Sequence, residues 1–336
     1  MPEAFAFPAD AAPPWSEVTG GAIVAETRLA VLSFTGADAA AFLHGQLSSD
    51  VRRLLPGAGQ WTSYNSPKGR MLATLFLYRP PTGASDRFEA LVAADLASAL
   101  RQRLAMFVLR SNLAVADESA TLACLGVGGP AAARALATLG PPPGPGAVTA
   151  ADELRLVGLP DGRFVVVAPA AVAPGVVARL TAVATPASYD AWSWLGICAG
   201  VPMVTAATQD LFVAQAANWD ALGGVDFLKG CYPGQEIVAR TQYLGRLKER
   251  LYLLAADVPV PAPGSRLYSP AFGDQACGTV VNSAPRPTGG SALLAVLQID
   301  AATAVRLGSP EGPALAVQPL PYALPAPTEP RGRVRL

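Results

Sequence analysis

Proline and glycine interrupt the hydrophobic stretches of this chain, and this limits the length of any single helix or strand. The sequence has 336 residues, among them 32 prolines and 32 glycines. The most hydrophobic stretch, residues 164–178, contains Pro169, Pro174 and Gly175. Crossing a bilayer takes roughly 20 uninterrupted apolar residues. This stretch is shorter and broken, so the sequence predicts no membrane partner.

The pattern of apolar runs changes after Arg250. Before it, strand-like and helix-like segments alternate, which indicates mixed α+β structure. Beyond it, short apolar runs separated by Pro- and Gly-rich turns are typical of a small all-β barrel or sandwich. A chain of this length is expected to fold as two or three units. We predict one α+β domain over 16–120, completed by part of 185–245, a second over 121–245, and a β domain over 246–330.

Individual elements follow from hydrophobic periodicity and turn residues. Strands are predicted at 29–34, 61–64, 71–78, 154–159, 164–167, 251–255, 278–281, 292–297 and 314–317. Helices are predicted at 39–46, 91–108, 130–139 and 175–183. Trp192 and Trp194 are assigned to a strand, which would direct both rings to the same face.

Charge and composition exclude several classes of protein. Lysine plus arginine equals aspartate plus glutamate at 25 each, which argues against a direct nucleic-acid binder with a basic stripe. The N-terminus has no basic region followed by an apolar one, so we expect a cytoplasmic protein. The four cysteines form no Cys-x-x-Cys pair and there is a single histidine, so no resident metal site is predicted.

The segment most informative about chemistry runs from Asp226 to Arg240, with Cys231 in a loop rich in glycine and proline. A helix is predicted to begin at Gln235, with Glu236 in its first turn. Cys231 would then lie just ahead of a helix N-terminus, where exposed N–H groups stabilise an anion. Positive charge from Lys229 and Arg240 would add to this effect. The pattern therefore favours the thiolate form of Cys231.

The alternative is that a free cysteine is a small buried hydrophobic residue, as most are. Cys124 lies in an apolar run and Cys277 in a predicted strand, so both fit burial well. Cys198 is intermediate. Cys231, between two glycines and beside Lys229, fits burial poorly.

Two further polar features have an ordinary structural explanation. His44 falls on the polar side of the first helix near its end, and we interpret it as a solvated or helix-terminal charge with no chemistry. The turn containing Lys68 and Arg70 would place two cations where the acidic tail of a ligand could bind. A plain solvated hairpin tip is an equally good interpretation of that turn.

Residues 229–236, Lys-Gly-Cys-Tyr-Pro-Gly-Gln-Glu, match the YgfZ family signature Lys-Gly-Cys-aromatic-x-Gly-Gln-Glu at every defined position. Residues 237–240 continue the match. The resemblance extends over nearly the whole chain, with further matching segments at 35–38, 42–46, 50–51, 68–71, 199–202, 215–218, 223–225, 278–280 and 319–322. The chain therefore resembles a YgfZ-type folate-binding protein.

The resemblance implies an α+β fold: a three-domain cloverleaf related to the glycine-cleavage T-protein, with two mixed α+β domains and a C-terminal β barrel. It implies tetrahydrofolate or another reduced folate as cofactor, bound in the central opening and by the first domain. It also implies a role in assembling or repairing iron–sulfur clusters, with iron–sulfur proteins or their assembly machinery as partners. Enzymes such as tRNA-modifying methylthiotransferases would depend on that role.

The same resemblance assigns site residues. Cys231 and Lys229 are the predicted catalytic residues, and the rest of the motif loop comprises Gly230, Tyr232, Gly234, Gln235, Glu236 and Arg240. Trp192, Gln215, Asn218 and Leu29 are the predicted folate-binding residues. The two amides would read the edge of a pterin and Trp192 would stack on its face. The alternatives are that Trp192 is an ordinary core residue and that the two amides cap turns.

Three departures from the family pattern matter. Leu29 stands where relatives can carry an aromatic residue, so one wall of the folate site is expected to be aliphatic and weaker. Cys198 replaces a common acid, and Ala214 replaces the usual proline.

Three functions compete. The first is a folate-binding factor for iron–sulfur proteins that acts through Cys231. The second is a folate-dependent one-carbon (aminomethyl or methyl) transferase, although glycine-cleavage aminomethyltransferase activity is not expected. The third is a scaffold that retains only the fold.

Overall fold

The computed structural model describes residues 13–83, 86–243 and 247–325. The chain divides into two compact units, and each is discontinuous in sequence. The first unit contains the described parts of 1–43, 51–60 and 75–196, and the second those of 44–50, 61–74 and 197–336. Within the described ranges, no helix combines the length and apolar character that a membrane span requires.

The first unit contains a six-stranded sheet built from short, largely buried strands. These are β1 (Ile23–Glu26), β7 (Leu122–Gly128), β8 (Val148–Ala151), β9 (Leu154–Gly158), β10 (Phe164–Pro169) and β11 (Thr185–Ala187). Their order is β11-β1-β7-β10-β9-β8. The strands predicted at 154–159 and 164–167 are confirmed as β9 and β10, which form an antiparallel hairpin with Val165 opposite Val157 and Gly162 at φ +86° in the turn. Only glycine adopts such a φ at little cost.

Helices α4 (Ala132–Leu136) and α5 (Ala173–Thr181) cover this sheet. They contribute Leu136, Val176 and Leu180 to a core that includes Leu156 and Val166 of the strands. The helix predicted over 130–139 is thus shorter in the structure, because turns flank Ala132–Leu136 on both sides. One helix absent from the predictions, α1 (Trp15–Gly20), precedes β1.

A five-stranded sheet has the order β3-β4-β5-β2-β6. Its strands are β2 (Leu29–Thr35), β3 (Gly59–Asn65), β4 (Met71–Tyr78), β5 (Arg87–Ala93) and β6 (Ala114–Asp117), with helices α2 (Ala39–Gln46) and α3 (Ala94–Ala105). The helix predicted over 91–108 is wrong at its start. Residues 91–93 belong to β5, where Val92 pairs with Leu75 and Ala30, and the helix begins only at Ala94.

The prediction for Trp192 and Trp194 is also wrong. Both lie on α6 (Tyr189–Cys198), which follows β11. Each helical residue turns the chain by about 100°, so residues two apart point away from each other. Trp192 is buried, whereas Trp194 packs edge-on against Trp15 with 5.5 Å between ring centroids.

The second unit ends in a closed six-stranded barrel, which confirms the predicted β architecture. Helix α7 (Gln235–Tyr243) precedes it, followed by β12 (Glu249–Ala256), β13 (Arg266–Tyr268), β14 (Gly278–Pro285), β15 (Ser291–Gln298), β16 (Val305–Leu307) and β17 (Ala314–Gln318). The barrel closes in the order β12-β15-β14-β13-β16-β17. Leu254, Leu267, Val280, Leu293 and Leu297 fill its interior. Closure leaves no free strand edge.

Candidate functional site

The motif loop is the irregular segment from Asp226 to Gly234 that leads into α7. Its end is a tight turn: the Gln235 N–H donates to the Tyr232 carbonyl at 3.1 Å, and the Val238 N–H donates to the Gly234 carbonyl at 3.2 Å. The helix starts at Gln235 with Glu236 in its first turn, as predicted. An acidic residue there interacts favourably with the helix dipole. Cys231 thus precedes the helix by four residues.

Two glycines allow the motif loop to pack directly on the turn at residues 66–70. Gly234 has φ +77°, and a Cβ built on it would lie 2.5 Å from the Ser66 carbonyl oxygen and 2.6 Å from Gly69 Cα. Gly69 has φ +73°, and a Cβ there would lie 2.9 Å from Ile237 Cβ. Both positions therefore require glycine for conformation and for space. The close approach of the two backbones fixes where the loop turns into α7.

Lys229 anchors the motif loop from the inside. Its side chain is buried, and its ammonium donates hydrogen bonds to the carbonyl oxygens of His44 and Leu47. The last carbonyls of a helix have no partner within the helix, and α2 ends at Gln46. A lysine ammonium satisfies them and complements the negative end of the dipole. The catalytic role of Lys229 stays a prediction, whereas its anchoring role follows from these bonds.

Tyr232 turns inward beside Lys229. Its ring centroid lies 4.8 Å from the Lys229 ammonium nitrogen, within the range of a cation–π contact. Burial, with a smaller contribution from the Asp226 carboxylate, raises the pKa of the Tyr232 phenol to about 12. The phenol is therefore neutral at physiological pH. Lys229 and Tyr232 are both buried, whereas the two residues between them, Gly230 and Cys231, are exposed.

Cys231 is exposed, unlike the other three cysteines. The interpretation of Cys231 as a buried hydrophobic residue is therefore wrong. Burial raises the pKa of the Cys124 thiol to about 12, with a smaller contribution from the Glu89 carboxylate. Burial also raises the pKa of Cys198 to about 11 and raises that of Cys277. Those three thiols are kept protonated, and Cys231 is the accessible sulfur.

His44 lies in the last turn of α2, as predicted, but the interpretation of it as a solvated residue is wrong. Its side chain is only 12% exposed, and its Nδ1 lies 3.0 Å from Oδ1 of Asp50, which is also buried. Its Nε2 lies 3.5 Å from the position that a Cβ on Gly230 would occupy. Sequence reasoning missed Asp50 as a partner. The available signal was an acid six residues after the histidine, just beyond the helix end.

Arg240 lies in the last turn of α7 and is exposed. Cys231 precedes the first turn of the same helix. The guanidinium is thus placed at the carboxyl end of the helix, where a cation is favourable, and not beside the thiol. The positive charge predicted next to Cys231 does not come from this residue.

Gln215 and Asn218 are both buried in the second unit. The Gln215 amide nitrogen donates to the Val238 carbonyl at 2.7 Å, while its Oε1 is buried without a hydrogen-bond partner. Asn218 has φ +57°, and its side chain forms two hydrogen bonds with the Leu251 backbone, at 2.9 Å to the carbonyl and 3.2 Å from the N–H. Asn218 therefore holds the first barrel strand, and Gln215 keeps one free acceptor.

Trp192 and Leu29 lie in the first unit. The Trp192 ring is 3% exposed, and the guanidinium carbon of Arg163 lies over it, 4.4 Å from the ring centroid. Arg163 is held there by Asp161 at 2.6 Å. A Cβ on Gly126 would lie 2.5 Å from Trp192 Cε3. The indole is thus enclosed by protein. Leu29, half-buried at the start of β2, pairs with Ala93.

The role of these four residues in folate binding stays a prediction, and the structure shows which of their groups are already engaged. Arg163 and Gly126 already contact the Trp192 ring, and both ends of the Asn218 amide are engaged with Leu251. Only the Gln215 Oε1 remains as an acceptor without a partner. An unpaired buried polar atom is costly and calls for a water or a ligand group.

No family model matches the chain. The chain is, however, similar to individual proteins over most of its length. The tRNA-modifying protein YgfZ of Photorhabdus laumondii subsp. laumondii is 32% identical over 308 residues, which cover 88% of this chain and 90% of that protein. The protein of the same name from Serratia proteamaculans is 33% identical over 309 residues, with the same coverage of both chains.

A crystal structure of the glycine cleavage system aminomethyltransferase T from Bartonella henselae has a similar fold. Its TM-score is 0.72 at 17% sequence identity, with 91% of this chain and 87% of that chain covered. This likeness concerns the fold alone, and it confirms the predicted T-protein fold class. The two YgfZ proteins are about one-third identical to this chain over about nine-tenths of its length and of theirs. The chain therefore belongs to the YgfZ family.

Proposed function

We propose that this protein is a reduced-folate-binding factor that acts through Cys231 in the assembly or repair of iron–sulfur clusters. Through that role it supports cluster enzymes that modify tRNA. The observation that carries the proposal is the exposure of Cys231 on a loop that Lys229, Gly234 and Gly69 hold in place. An exposed, positioned thiol is what nucleophilic or ligand-exchange chemistry needs.

The geometry limits what the thiol does on its own. Protein-bound clusters are commonly held by four thiolates. Over the described ranges, no three His, Cys, Asp or Glu side chains lie together so as to hold a metal ion. Cys231 therefore acts as a single sulfur on a partner. Either its thiolate attacks one sulfur of a disulfide on the partner, so that the S–S bond breaks and the other sulfur leaves as a thiolate, or it serves transiently as one ligand of a cluster held elsewhere.

The link to tRNA comes from the relatives, which are named tRNA-modifying proteins. The protein has equal numbers of acidic and basic residues, which argues against recognition of a polyanion along a broad basic face. We therefore place its contribution upstream of the RNA, on the enzymes that carry out the modification. These enzymes or their cluster-assembly machinery are the proposed partners, and the proposed location is the cytoplasm.

The folate part of the proposal is supported by the family resemblance and by the unpartnered Gln215 oxygen. Stacking on Trp192 is not part of it, because Arg163 already occupies a ring face. No chemical step is assigned to the folate. Calorimetric titration with tetrahydrofolate tests the binding: we expect binding by the wild type, and equal binding by Cys231→Ala and Trp192→Phe. Absence of heat with any reduced folate would remove folate from the proposal.

The function is tested by complementation of a bacterial strain that lacks its own family member. The strain receives the wild type, Cys231→Ala, or Cys198→Ala as the matched control at a half-buried thiol. Methylthiolated tRNA nucleosides are quantified by mass spectrometry. We expect the wild type and Cys198→Ala to restore them and Cys231→Ala to leave them at the level of the empty strain. Full restoration by Cys231→Ala would disprove a role for this thiol.

A further inference from the structure

The turn that follows α3 exposes several large apolar side chains in succession, and we call residues 106–110 the apolar turn. Met106, Phe107 and Leu109 have 66%, 47% and 87% of their surface exposed. The apolar residues of α3 itself, such as Leu104, are buried in the first unit. Exposed apolar side chains that adjoin one another mark interaction sites.

The apolar turn forms one wall of an open groove in the first unit. The groove has a volume of about 900 Å³, and it is lined by residues 107–111 and by Asp38, Ala41 and Phe42 at the start of α2. Two hydrogen bonds tie these walls together. The Asp38 N–H donates to the Asn112 carbonyl at 3.2 Å, and the Asp38 carboxylate accepts the Asn112 N–H at 2.7 Å. The groove is therefore preformed, which lowers the entropic cost of binding.

Leu109 has an unfavourable backbone conformation. Its φ is +46°, in the left-handed region that favours glycine over any residue with a Cβ. Such conformations persist where the surrounding structure fixes the backbone, and they cluster at binding sites. Here the Ser111 N–H donates to the Val108 carbonyl at 2.8 Å and closes the turn around Leu109. The most exposed apolar side chain of the turn is thus carried on a fixed backbone.

The apolar turn lies in a locally basic part of a chain whose net charge is zero. Residues 96–116 include Arg101, Arg103 and Arg110 and no acidic residue. Arg103 and Arg110 are exposed, and none of the three guanidiniums forms an ion pair with a residue that the structure describes. Met106 keeps helical dihedral angles, so Arg103, three residues earlier, lies on the same side of the helix. Positive charge therefore flanks the exposed apolar side chains.

We propose that the groove and the apolar turn bind a partner protein through a segment in which acidic residues flank a large apolar side chain. The apolar side chain packs in the groove against Phe107 and Leu109, and the carboxylates pair with Arg103 and Arg110. Asp38 in the groove lining offsets one positive charge, so an excess of positive charge remains to favour an acidic segment. The inference goes beyond the proposed function, because it requires neither folate nor Cys231.

Other occupants suit this surface less well. A twofold dimer would bring two copies of the same basic surface together. A membrane surface requires a long apolar helix face, whereas the apolar face of α3 is buried within the protein. A nucleic acid requires a broader basic stripe than three arginines provide.

Fluorescence anisotropy with labelled peptides and the full chain tests the inference. The probe is a synthetic peptide of sequence Glu-Asp-Leu-Glu-Phe-Leu-Asp-Glu. One control peptide has lysine at each acidic position, and the other has serine at each apolar position. We expect the wild type to bind the probe at least about tenfold more tightly than either control, with an affinity that falls as salt is added. Equal affinity for the probe and either control would overturn the inference.

Two variants then test the charge and the apolar side chain separately. Arg103→Glu is expected to weaken binding of the probe by about fivefold or more. Leu109→Gly is expected to weaken it by a similar factor, and glycine suits the φ of this position, so the turn is kept. Arg134→Glu, at an exposed arginine of α4, is the matched control and should leave the affinity unchanged. Unchanged affinity in either Arg103→Glu or Leu109→Gly would overturn the inference.

The other occupants are measured with the same proteins. The wild type and Arg103→Glu are titrated with phosphatidylglycerol vesicles and with unfractionated tRNA, and their oligomeric states are measured by analytical ultracentrifugation. Tighter binding of vesicles or tRNA than of the probe, lost in Arg103→Glu, would overturn the inference, as would a wild-type dimer that Arg103→Glu dissociates. Complementation by Cys231→Ala tests the proposed function alone, so the two can fail separately.

Discussion

Each unit buries a charged side chain, but the two charges have different partners. In the first unit Glu89 is fully buried and is satisfied by other side chains. Its Oε1 lies 2.9 Å from Arg87 Nε and 2.9 Å from Arg155 Nη2, and its Oε2 accepts the Tyr78 hydroxyl at 2.6 Å. In the second unit the buried Lys229 is satisfied by the backbone carbonyls of His44 and Leu47.

The difference shows two uses of a buried charge. The Glu89 cluster joins β4, β5 and β9 around a fully buried carboxylate, so its effect is on stability. A broken pair leaves uncompensated charge in the interior. Lys229 joins a loop to the end of a helix, so its effect is on the position of the loop. Its neighbour two residues on, Cys231, faces solvent. Tests of the comparison therefore need both a stability measurement and a thiol measurement.

The largest expected effect is that of Glu89→Ala. It leaves two arginines without their shared carboxylate, and we expect the free energy of unfolding to fall by about 3 kcal/mol or more. Urea unfolding measures this. Glu153→Ala, at an exposed acid, is the control and should change it by less than about 0.5 kcal/mol. Equal stability of the two variants would show that the cluster is not a stabilising element.

The next effect concerns the close approach of the motif loop to the turn at 66–70. Gly234→Ala combines an unfavourable φ with a contact of 2.5 Å to the Ser66 carbonyl, and we expect a loss of about 2–3 kcal/mol. Gly162→Ala is the matched control: it has a similar φ of +86° and open space around it, so only the conformational cost of about 1 kcal/mol remains. Urea unfolding of both variants gives the steric contribution as the difference between their two losses of unfolding free energy. Equal losses would show that the close contact makes no contribution.

Lys229→Met is expected to lower the free energy of unfolding less than the two preceding variants do. Its larger effect is expected on the activity that depends on Cys231. The apolar side chain fills the space but leaves two carbonyls unsatisfied, which costs about 1–2 kcal/mol. We expect the complementing activity to fall with it, because the loop loses its anchor. Lys68→Met, at an exposed lysine in the neighbouring turn, is the control. Unchanged stability and activity of Lys229→Met would contradict the anchoring role.

The smallest expected effect is on the stability at alkaline pH, and it comes from the Cys124 thiol in the first unit. Burial raises the pKa of Cys124 from 9.0 to about 12 in the folded protein, so above pH 9 the unfolded chain loses this proton first. The stabilisation is fully present below pH 9 and is lost as the pH rises toward 12. We expect the free energy of unfolding to fall by up to about 1.4 kcal/mol per pH unit from this group. Cys124→Ala should fall less steeply, and equal slopes would contradict burial of the thiol.

Much of the fold could be predicted from the sequence because it is encoded in short patterns. The bounds of α2 and β4 agree with their predictions at both ends, since hydrophobic periodicity and turn residues define them locally. The prediction failed at residues 91–93 and at Trp192. There, short apolar runs suit either a strand or a helix, and pairing or packing with distant residues decides.

The candidate site, like the fold, has some features that the sequence predicts and others that it does not. Gly234, Cys231 and the start of α7 could be read from the sequence, since a glycine-bearing turn before an amphipathic segment is a local signal. The contacts that engage Trp192 and Asn218 could not be predicted from the sequence. Arg163 comes to lie over the Trp192 ring, and Leu251 takes both ends of the Asn218 amide, only after the chain has folded.

The sequence by itself determined that one cysteine lies in a glycine-bearing loop ahead of a helix, because backbone conformation there depends on adjacent residues. Only the tertiary structure decided which groups surround that cysteine. His44 and Lys229 are 185 positions apart, and no local pattern joins them. They meet because packing brings the end of α2 beneath the motif loop, where the helix carbonyls need a donor and the lysine needs an acceptor.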